Sequence, residues 1–374
     1  MSGKGAVPAP SNHNMDTSPR YHADDLRRLT REILTRCGMT SQDATVSADV
    51  LIDTDLRGID SHGIAHLSSH YAYVPGLRSG KINPRARSHT IQEGPTTALL
   101  DGDGGLGLVV AYNAMTLAIE KAGGNGVAMV AVTNSHHYGA AGYYSMMALP
   151  HDMIGISMTN ASPAVLPTFG QERRLGTNAI SFAVPAGKEP PYVLDMATST
   201  VAVGKLELAR RRGEPIPLGW AVDKHGADTT DPNDYWDGGA LLPLGSTPEL
   251  SSYKGYGLGM LVDILSGVLS GVGFGAALSR EGRTVGHFLG AIRIESFRPV
   301  KDFKEMMDEM IRSLRSTPTV PGGERVLVPG LKEHETYQER TRTGIPLHPE
   351  VRDSLKELAD ELGIEFPSEN LGAG

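Results

Sequence analysis

The chain has 374 residues, enough for two packed units, because single hydrophobic cores tend to stop growing near ~250 to 300 residues. Its 40% hydrophobic and 21% charged residues are typical of a globular protein and exclude a disordered or fibrous one. The formal net charge of −8, with both signs interspersed, argues against a nucleic-acid partner, which would require clustered Lys and Arg. Small molecules are the expected partners.

The opening segment, residues 1–20, is rich in Pro, Ser and Asn and lacks the apolar core of a secretory signal, so it predicts a disordered leader. No later run approaches the ~20 apolar residues of a membrane span. Cys37 is the single cysteine, which excludes an intrachain disulfide and is compatible with a reducing compartment. We therefore expect a cytoplasmic protein without membrane contacts.

Helical patterns fill the N-terminal part of the chain. Apolar residues at positions 26, 29, 33 and 34 recur at helical spacing before Gly38. A second helix is expected from Gln42 to Arg57, capped by Thr40 or Ser41, and a third from His62 toward Tyr73. Residues 21–80 therefore predict a helical lobe.

Strand patterns begin near residue 88. Two short strands, a helix at 108–122 and a buried strand at 126–132 come first. They are followed by the strand-like runs MIGISMTN, NAISFAVPA and PYVLDMA, and then by a Gly- and Pro-rich stretch at 213–248 that predicts loops at a binding surface. The middle of the chain therefore predicts a sheet with few long helices.

The last third returns to helices around one further strand, HFLGAIRIESF. The segment 255–271 is apolar on nearly every side and predicts a buried helix, FKEMMDEMIRSLRS predicts an amphipathic one, and VRDSLKELADELG predicts a helical tail. The expected units are a leader (1–20), a helical lobe (21–80 plus 254–275), an α/β lobe (85–250 plus 284–330) and a C-terminal helical tail (344–374).

A glycine run resembles a dinucleotide-binding turn. Gly102, Gly104 and Gly107 fit G-x-G-x-x-G between a strand and a helix. The next strand, however, ends at Thr133 and Asn134, where an acidic residue would be needed for the ribose. The motif is therefore a weak signal, and a purely structural turn is the alternative.

Three histidines, His62, His66 and His70, lie at i, i+4 and i+8, so a continuous helix would place them along one face. Such spacing can bind zinc, which makes a zinc-dependent hydrolase one alternative function. No Glu follows His62 as it does in HExxH, and the other interpretation has one catalytic histidine, packing histidines around it and no metal. A cofactor-binding module without catalysis is a further alternative.

Six motifs, in order along the chain, resemble those of the malate/L-lactate dehydrogenase family of the non-Rossmann type. They are GIDSHGI (58–64), NSHHYGAAGYY (134–144), LGTNAISFAVPA (175–186), LDMATS (194–199), GWAVDKHGADTTDP (219–232) and YKGYGLGMLVDILSGVLSG (253–271). The resemblance runs from about residue 24 to 347. It implies an α/β (α+β) fold, in which a mixed-sheet lobe binds NAD(P) without a Rossmann turn beside a helical lobe. It also implies a homodimer that transfers hydride between NAD or NADP and a 2-oxo or 2-hydroxy acid.

The resemblance also assigns residues to the substrate site. Its SHG pair matches Ser61 and His62, and its NSxH[FY]G histidine matches His137. Hydride transfer requires that the attached oxygen gain or lose a proton, and an imidazole with a pKa near 6.5 can do both. Which histidine acts is left open. Ser61 and Tyr71 are expected to contact the substrate.

The expected cofactor residues lie in later motifs. Asp195 is expected either to bind a ribose hydroxyl or to orient a catalytic histidine, and Lys254 suits a phosphate because it lies near the start of a helix. The other expected contacts are Thr177 and Asn178 in GTN, Gly245 in LLPLGS and Gly330 in VPG.

His66 is a departure from the family pattern, which in many members has Arg three residues after the SHG glycine. Arg binds carboxylates through two parallel hydrogen bonds, whereas a neutral imidazole is a weaker partner. Either His66 is charged in the complex and contacts the substrate, or Arg57 or Arg78 replaces it, or the substrate differs.

Overall fold

The computed structural model describes residues 18–68, 73–279 and 284–369. Its strands are β1 (Arg20–Tyr21), β2 (His89–Glu93), β3 (Thr97–Gly105), β4 (Val127–Ser135), β5 (Met153–Thr159), β6 (Ala179–Val184), β7 (Tyr192–Met196), β8 (Ala221–Val222), β9 (Ala240–Leu241), β10 (Val285–Arg293) and β11 (Ile345–Pro346). Its helices are α1 (Ala23–Arg36), α2 (Ser41–Leu56), α3 (Tyr73–Arg78), α4 (Gly107–Asn125), α5 (Ala141–Met146), α6 (Val203–Arg212), α7 (Tyr253–Val262), α8 (Val300–Arg315), α9 (Leu331–Thr343) and α10 (Pro349–Leu362).

Seven strands form one mixed sheet in the order β2-β3-β4-β10-β5-β6-β7. Only β3 and β4 are parallel, and α4 connects them, whereas every other neighbouring pair in this sheet is antiparallel. The late strand β10 is inserted in the middle, between β4 and β5. The predicted α/β class with a mixed sheet is confirmed.

The two faces of the sheet are covered by different helices. On one face the largest core joins α1, α2, α4 and α10 to the sheet through residues such as Leu51, Met115 and Val130. On the other face Val262 of α7 packs on Ile156 and Phe288. The segment 254–275 therefore lies against the sheet and not, as expected, with the N-terminal helices, because its apolar residues contact β5 and β10.

The segment after Lys254 differs from the expected buried helix in two respects. It changes from α-helix to π-helix at Asp263–Val268, and one of its faces is exposed. The exposed apolar side chains, 41% to 58% accessible, are Met260, Leu261, Ile264, Val268 and Leu269. A sequence that is apolar all round does not reveal which side meets the sheet.

Helix α9 was not predicted. Its sequence, LKEHETYQERTRT, is polar on all sides, and within it only Leu331 and Arg340 are buried.

In the part of the chain that the structure describes, no helix is both long enough and apolar enough to cross a membrane.

Candidate active site

Two short 3-10 turns, at Asp60–His62 and Ile64–Leu67, replace the single helix expected after His62. The break falls at Gly63, whose extended backbone runs so close to Asp55 that a Cβ there would lie 1.8 Å from the Asp55 Oδ1 atom. The amide of Ile64 donates to Asp55 Oδ2 at 2.7 Å. A buried carboxylate at the end of α2 therefore folds the histidine segment back on itself.

The folded segment brings three imidazoles together. The ring centroids of His62 and His66 are 5.6 Å apart, those of His62 and His137 are 5.7 Å apart, and those of His66 and His137 are 4.9 Å apart. Interplanar angles of 18° to 24° show that the rings stack on one another. His62 and His137, both predicted catalytic residues, therefore share one site with His66.

The zinc alternative finds no support in this geometry. Among residues 18–68, 73–279 and 284–369, no group of three His, Cys, Asp or Glu side chains is arranged to hold a metal ion. His70, the third histidine of the spacing, and Tyr71, an expected substrate contact, lie outside the described residues.

Hydrogen bonds fix the orientation of the catalytic candidates. The Tyr73 hydroxyl lies 2.7 Å from His137 Nδ1, and the Gly139 amide donates to the same nitrogen at 3.3 Å. Because an amide can only donate, Nδ1 is the acceptor and the neutral ring carries its hydrogen on Nε2. Ser61 Oγ lies 2.8 Å from His62 Nδ1.

Burial keeps all three imidazoles neutral. Loss of hydration lowers the pKa of His62 to about 4 and that of His66 to about 3, and it lowers the pKa of His137 well below its usual value. Burial also raises the pKa of the Tyr73 hydroxyl, which therefore stays protonated. The histidine cluster of the free protein is thus a set of desolvated, uncharged donors and acceptors.

Both arginines suggested as carboxylate partners form ion pairs within the protein. Arg57 pairs with Asp53 at 2.7 Å and stacks over Tyr337. Arg78 pairs with Glu361 at 2.9 Å on the surface.

The first turn of α6 approaches the site, since a Cβ at Gly204 would lie 3.4 Å from Ser61 Cβ.

The glycine run GDGGLG supports the loop that carries His137. A Cβ at Gly107 would lie 2.0 Å from the carbonyl oxygen of His136, and one at Gly102 would lie 2.8 Å from that of Asn134. Backbone of the loop thus packs directly against the start of α4. The contacts match the structural-turn interpretation, although the run does lie in a parallel β3-α4-β4 unit.

One expected cofactor residue, Thr177, belongs to a chain of backbone hydrogen bonds that two other expected cofactor residues flank. The Thr198 amide donates to Thr177 O, the Leu244 amide donates to Thr198 O, and the Gly255 amide donates to Leu244 O. Gly245 and Lys254 flank this chain, Gly245 with a φ of +94° and Lys254 with its side chain exposed in the first turn of α7. Thr177, Gly245 and Lys254 are therefore neighbours.

Asn178 differs from its expected role. The residue is fully buried, its Oδ1 accepts from the Ala161 amide at 3.1 Å, and its Nδ2 donates to Gly259 O at 2.8 Å. The side chain thus joins α7 to the loop after β5 and is not directed at a ligand.

Asp195 lies on the edge strand β7, and Gly330, at the start of α9, packs against the same strand. Asp195 Oδ2 accepts from the Gly142 amide at 2.7 Å, and Gly330 would place a Cβ 2.9 Å from Val193 Cβ. The Asp195 carboxylate is accessible to water yet closely surrounded by protein, and this burial raises its pKa to about 6. Its observed partner is a backbone amide at the start of α5, while Tyr73 is the side chain that holds His137.

The comparisons with known proteins agree with this architecture. Residues 21–356 match the family model of malate/L-lactate dehydrogenase. A malate dehydrogenase of Pyrococcus abyssi is 48% identical over 350 residues, which cover 92% of this chain and 96% of that protein. An L-sulfolactate dehydrogenase of Methanocaldococcus jannaschii is 40% identical over 344 residues, which cover 91% of this chain and 96% of that protein.

A solved structure extends the agreement to the fold. The crystal structure of malate dehydrogenase from Entamoeba histolytica superposes with a TM-score of 0.91 at 36% identity, covering 94% of this chain and 100% of that one. The chain therefore belongs to the malate/L-lactate dehydrogenase family. It is an oxidoreductase, a dehydrogenase that acts on hydroxy acids.

Proposed function

We propose that this dehydrogenase transfers hydride between NAD or NADP and the oxygen-bearing carbon of a small 2-oxo or 2-hydroxy acid, and that His137 moves the accompanying proton. Relatives named for malate and sulfolactate support a substrate with a second acidic group. The observation that carries the proposal is the Tyr73 hydrogen bond to His137 Nδ1, which together with the Gly139 amide fixes the neutral ring as the tautomer with its hydrogen on Nε2.

Tyr73 can hold the His137 ring in both protonation states. Toward the neutral ring the hydroxyl donates to Nδ1, and toward the imidazolium it accepts from Nδ1–H, because a hydroxyl is both donor and acceptor. In the reducing direction, Nε2–H of the imidazolium is given to the carbonyl oxygen as hydride reaches the carbon, and a hydroxyl group results. In the oxidising direction Nε2 takes the hydroxyl proton.

Substrate binding favours the protonated imidazole that this mechanism needs. The imidazoles of the free protein are neutral because they are desolvated, so a negatively charged carboxylate entering the pocket favours protonation. The ring centroids of His62, which Ser61 holds, and of His137 are 5.7 Å apart, which supports a role for His62 in binding the substrate oxygen or carboxylate. His66 completes the wall of the pocket as a neutral polar group.

We group Thr177, Asp195, Gly245, Lys254 and Gly330 as the cofactor edge, and their chemistry fits a nicotinamide dinucleotide. When bound, the nicotinamide supplies or accepts the hydride. The exposed ammonium of Lys254, next to the start of α7, suits a phosphate, and the accessible Asp195 carboxylate suits ribose hydroxyls. Gly245 and Gly330 adopt positive φ values of +94° and +88° and pack directly on Ser251 and Val193, so they shape the backbone of this edge.

We further propose that the protein is a homodimer. The exposed apolar face of α7 and the π-helix, defined by Met260, Leu261, Ile264, Val268 and Leu269, is the kind of surface that a second subunit covers. Analytical ultracentrifugation of Leu261→Glu beside the unchanged protein tests this, since an unshifted dimer mass in the variant argues against this face. The cytoplasmic location stays a prediction.

The activity is tested by following absorbance at 340 nm with both cofactors and a panel of 2-oxo acids, 2-hydroxy acids and cyclic imino acids. The expected result is turnover of a small 2-oxo acid that depends on NADH or NADPH. Quenching of Trp220 or Trp236 fluorescence by NADH measures binding separately. Tight NADH binding without turnover over the whole panel would instead support a non-catalytic module.

A further inference from the structure

Arg340 lies near the C-terminal end of α9, with only 9% of its side chain exposed. Its guanidinium forms two hydrogen bonds to the Asp60 carboxylate, one of them at 3.2 Å, and a third to the backbone carbonyl oxygen of Asp55. A buried arginine that donates two hydrogen bonds to one carboxylate fixes that carboxylate more firmly than an arginine in an exposed ion pair does.

The two partners of Arg340 hold the segment that carries Ser61 and His62. Asp60 begins the first 3-10 turn, and the Asp55 carboxylate accepts from the Ile64 amide just beyond His62. Burial raises the pKa of Asp55 well above its usual value and the Asp60 charge adds to this, whereas Arg340 lowers it. Arg340 is thus the cation that balances two carboxylates at the base of the histidine segment.

The opposite end of α9 lies at the cofactor edge. The Val193 amide donates to Pro329 O at 3.2 Å, and Gly330 packs directly on Val193 of β7. The charge of Glu333, in the first turn of α9, raises the pKa of Asp195. At a rise of ~1.5 Å per residue, α9 spans roughly 15 Å between this edge and Arg340.

We propose that Arg340 is a positioning residue for Ser61 and His62, and that α9 transmits binding at the cofactor edge to the histidine segment. This rests on the proposed function for the identity of the two sites. A dinucleotide that contacts Gly330 and Asp195 fixes the start of α9, and through Arg340 and Asp60 it orders the side chains that bind the substrate.

The primary test is hydrogen–deuterium exchange of amides in residues 58–67, with and without saturating NADH or NADPH. The variants are Arg340→Met and the matched control Arg342→Met, which removes an exposed arginine from the same helix. Without cofactor we expect exchange in this segment to rise at least about 5-fold in Arg340→Met only. With cofactor we expect exchange to slow in the unchanged protein and in Arg342→Met, but not in Arg340→Met.

Kinetics provide the second measurement. Arg340→Met and Asp60→Asn are each expected to lower kcat/KM by about 10- to 100-fold, with cofactor Kd within about 2-fold, and the double variant to lose no more than the worse single one. Arg340→Lys keeps the charge and should recover part of the loss. If Arg340→Met does not fold, Arg340→Lys and Asp60→Asn carry the same comparison.

Unchanged exchange and unchanged kcat/KM in folded Arg340 variants would overturn the positioning role. Multiplying losses in the double variant would show that Arg340 and Asp60 do not act together. Cofactor-induced slowing that persists in Arg340→Met would overturn the transmission through α9. If the unchanged protein binds neither cofactor, the proposed function fails, while exchange without cofactor still decides whether Arg340 holds the segment.

Discussion

The histidine cluster and the cofactor edge are built in opposite ways. The cluster consists of three stacked side chains that burial keeps neutral. The cofactor edge consists of backbone turns with positive φ, an exposed lysine and a water-accessible carboxylate. The difference teaches that the first region depends on which side chains are present, whereas the second depends mainly on the path of the backbone. Substitutions should therefore separate chemistry from cofactor affinity.

The largest effect is expected for His137→Asn, which removes the proposed proton donor. We expect kcat to fall by about 10² to 10⁴, the usual contribution of a general acid or base, with NADH affinity nearly unchanged. His62→Asn should lower kcat/KM by a similar or smaller factor. Steady-state kinetics and fluorescence titration measure the two quantities.

The matched control for both variants is His151→Asn, because His151 is exposed and lies after α5, away from the cluster. It should leave both kcat and Kd unchanged. Normal turnover in His137→Asn and His62→Asn alike would contradict the mechanism and the division between the two regions.

The next effect concerns the cofactor edge. Lys254→Ala should raise the cofactor Kd by about 10- to 100-fold, because a charge-assisted phosphate contact contributes about 1.5 to 3 kcal/mol. The value of kcat at saturating cofactor should change little. Isothermal titration at two salt concentrations measures the affinity, and Lys254→Arg, which keeps the charge, should stay close to the unchanged protein. Equal Kd values for Lys254→Ala and the unchanged protein would remove Lys254 from the site.

Tyr73→Phe tests how the cluster is oriented. The substitution keeps the ring and removes the hydroxyl that bonds His137 Nδ1, so kcat/KM should fall by about 10-fold, the equivalent of one hydrogen bond of ~1.4 kcal/mol. The pH dependence of kcat should also shift, because His137 loses a partner that serves both of its protonation states. A variant with normal kcat and an unmoved pH profile would show that Tyr73 only fills space.

The smallest effect is on the pH dependence of stability. His66 has a pKa of about 3 in the folded protein and an ordinary value near 6.5 when unfolded, so below pH ~6.5 the unfolded chain binds more protons. The stability that the neutral ring contributes is complete above pH 6.5 and is lost as the pH falls toward 3. The unfolding free energy of the unchanged protein should fall between pH 7 and pH 5.5. In His66→Gln we expect this fall to be smaller by about 1 kcal/mol.

Urea denaturation at the two pH values measures this difference, with His151→Gln as the exposed control. The same pKa implies that His66 does not change charge between pH 5.5 and 8.5 in the free protein, so kcat/KM should lack an inflection from this residue. An identical pH dependence of stability in His66→Gln and the unchanged protein would show that the ring is hydrated after all.

The sequence predicted most of the elements because their patterns are local. The strands of the middle region and helices α1, α2, α4 and α8 follow from periodicity and end signals. Helix α9 was missed because it is polar all round, and its buried Arg340 contacts Asp60, which is 280 positions away in the sequence. Such a contact leaves no periodic trace.

The site was predicted unevenly for the same reason. The meeting of His62 and His137 came from a family resemblance, and spacing alone placed the histidines on a helix that Gly63 and Asp55 in fact interrupt. Tyr73 gave no signal, since its partner is 64 positions away in the sequence. Asn178 lies in the expected motif, yet its side chain points inward, and only the packing of α7 decides that direction.

The central position of β10 has a consequence for the synthesis of the protein. While a ribosome is still making the middle of the chain, β4 and β5 are already complete, but the strand that belongs between them has not emerged. Each presents an unpaired edge, the kind of surface that attracts other strands and promotes aggregation. Both edges stay open until residues 285–293 are released and can pair with them. Any premature termination before that point leaves a sheet that cannot close.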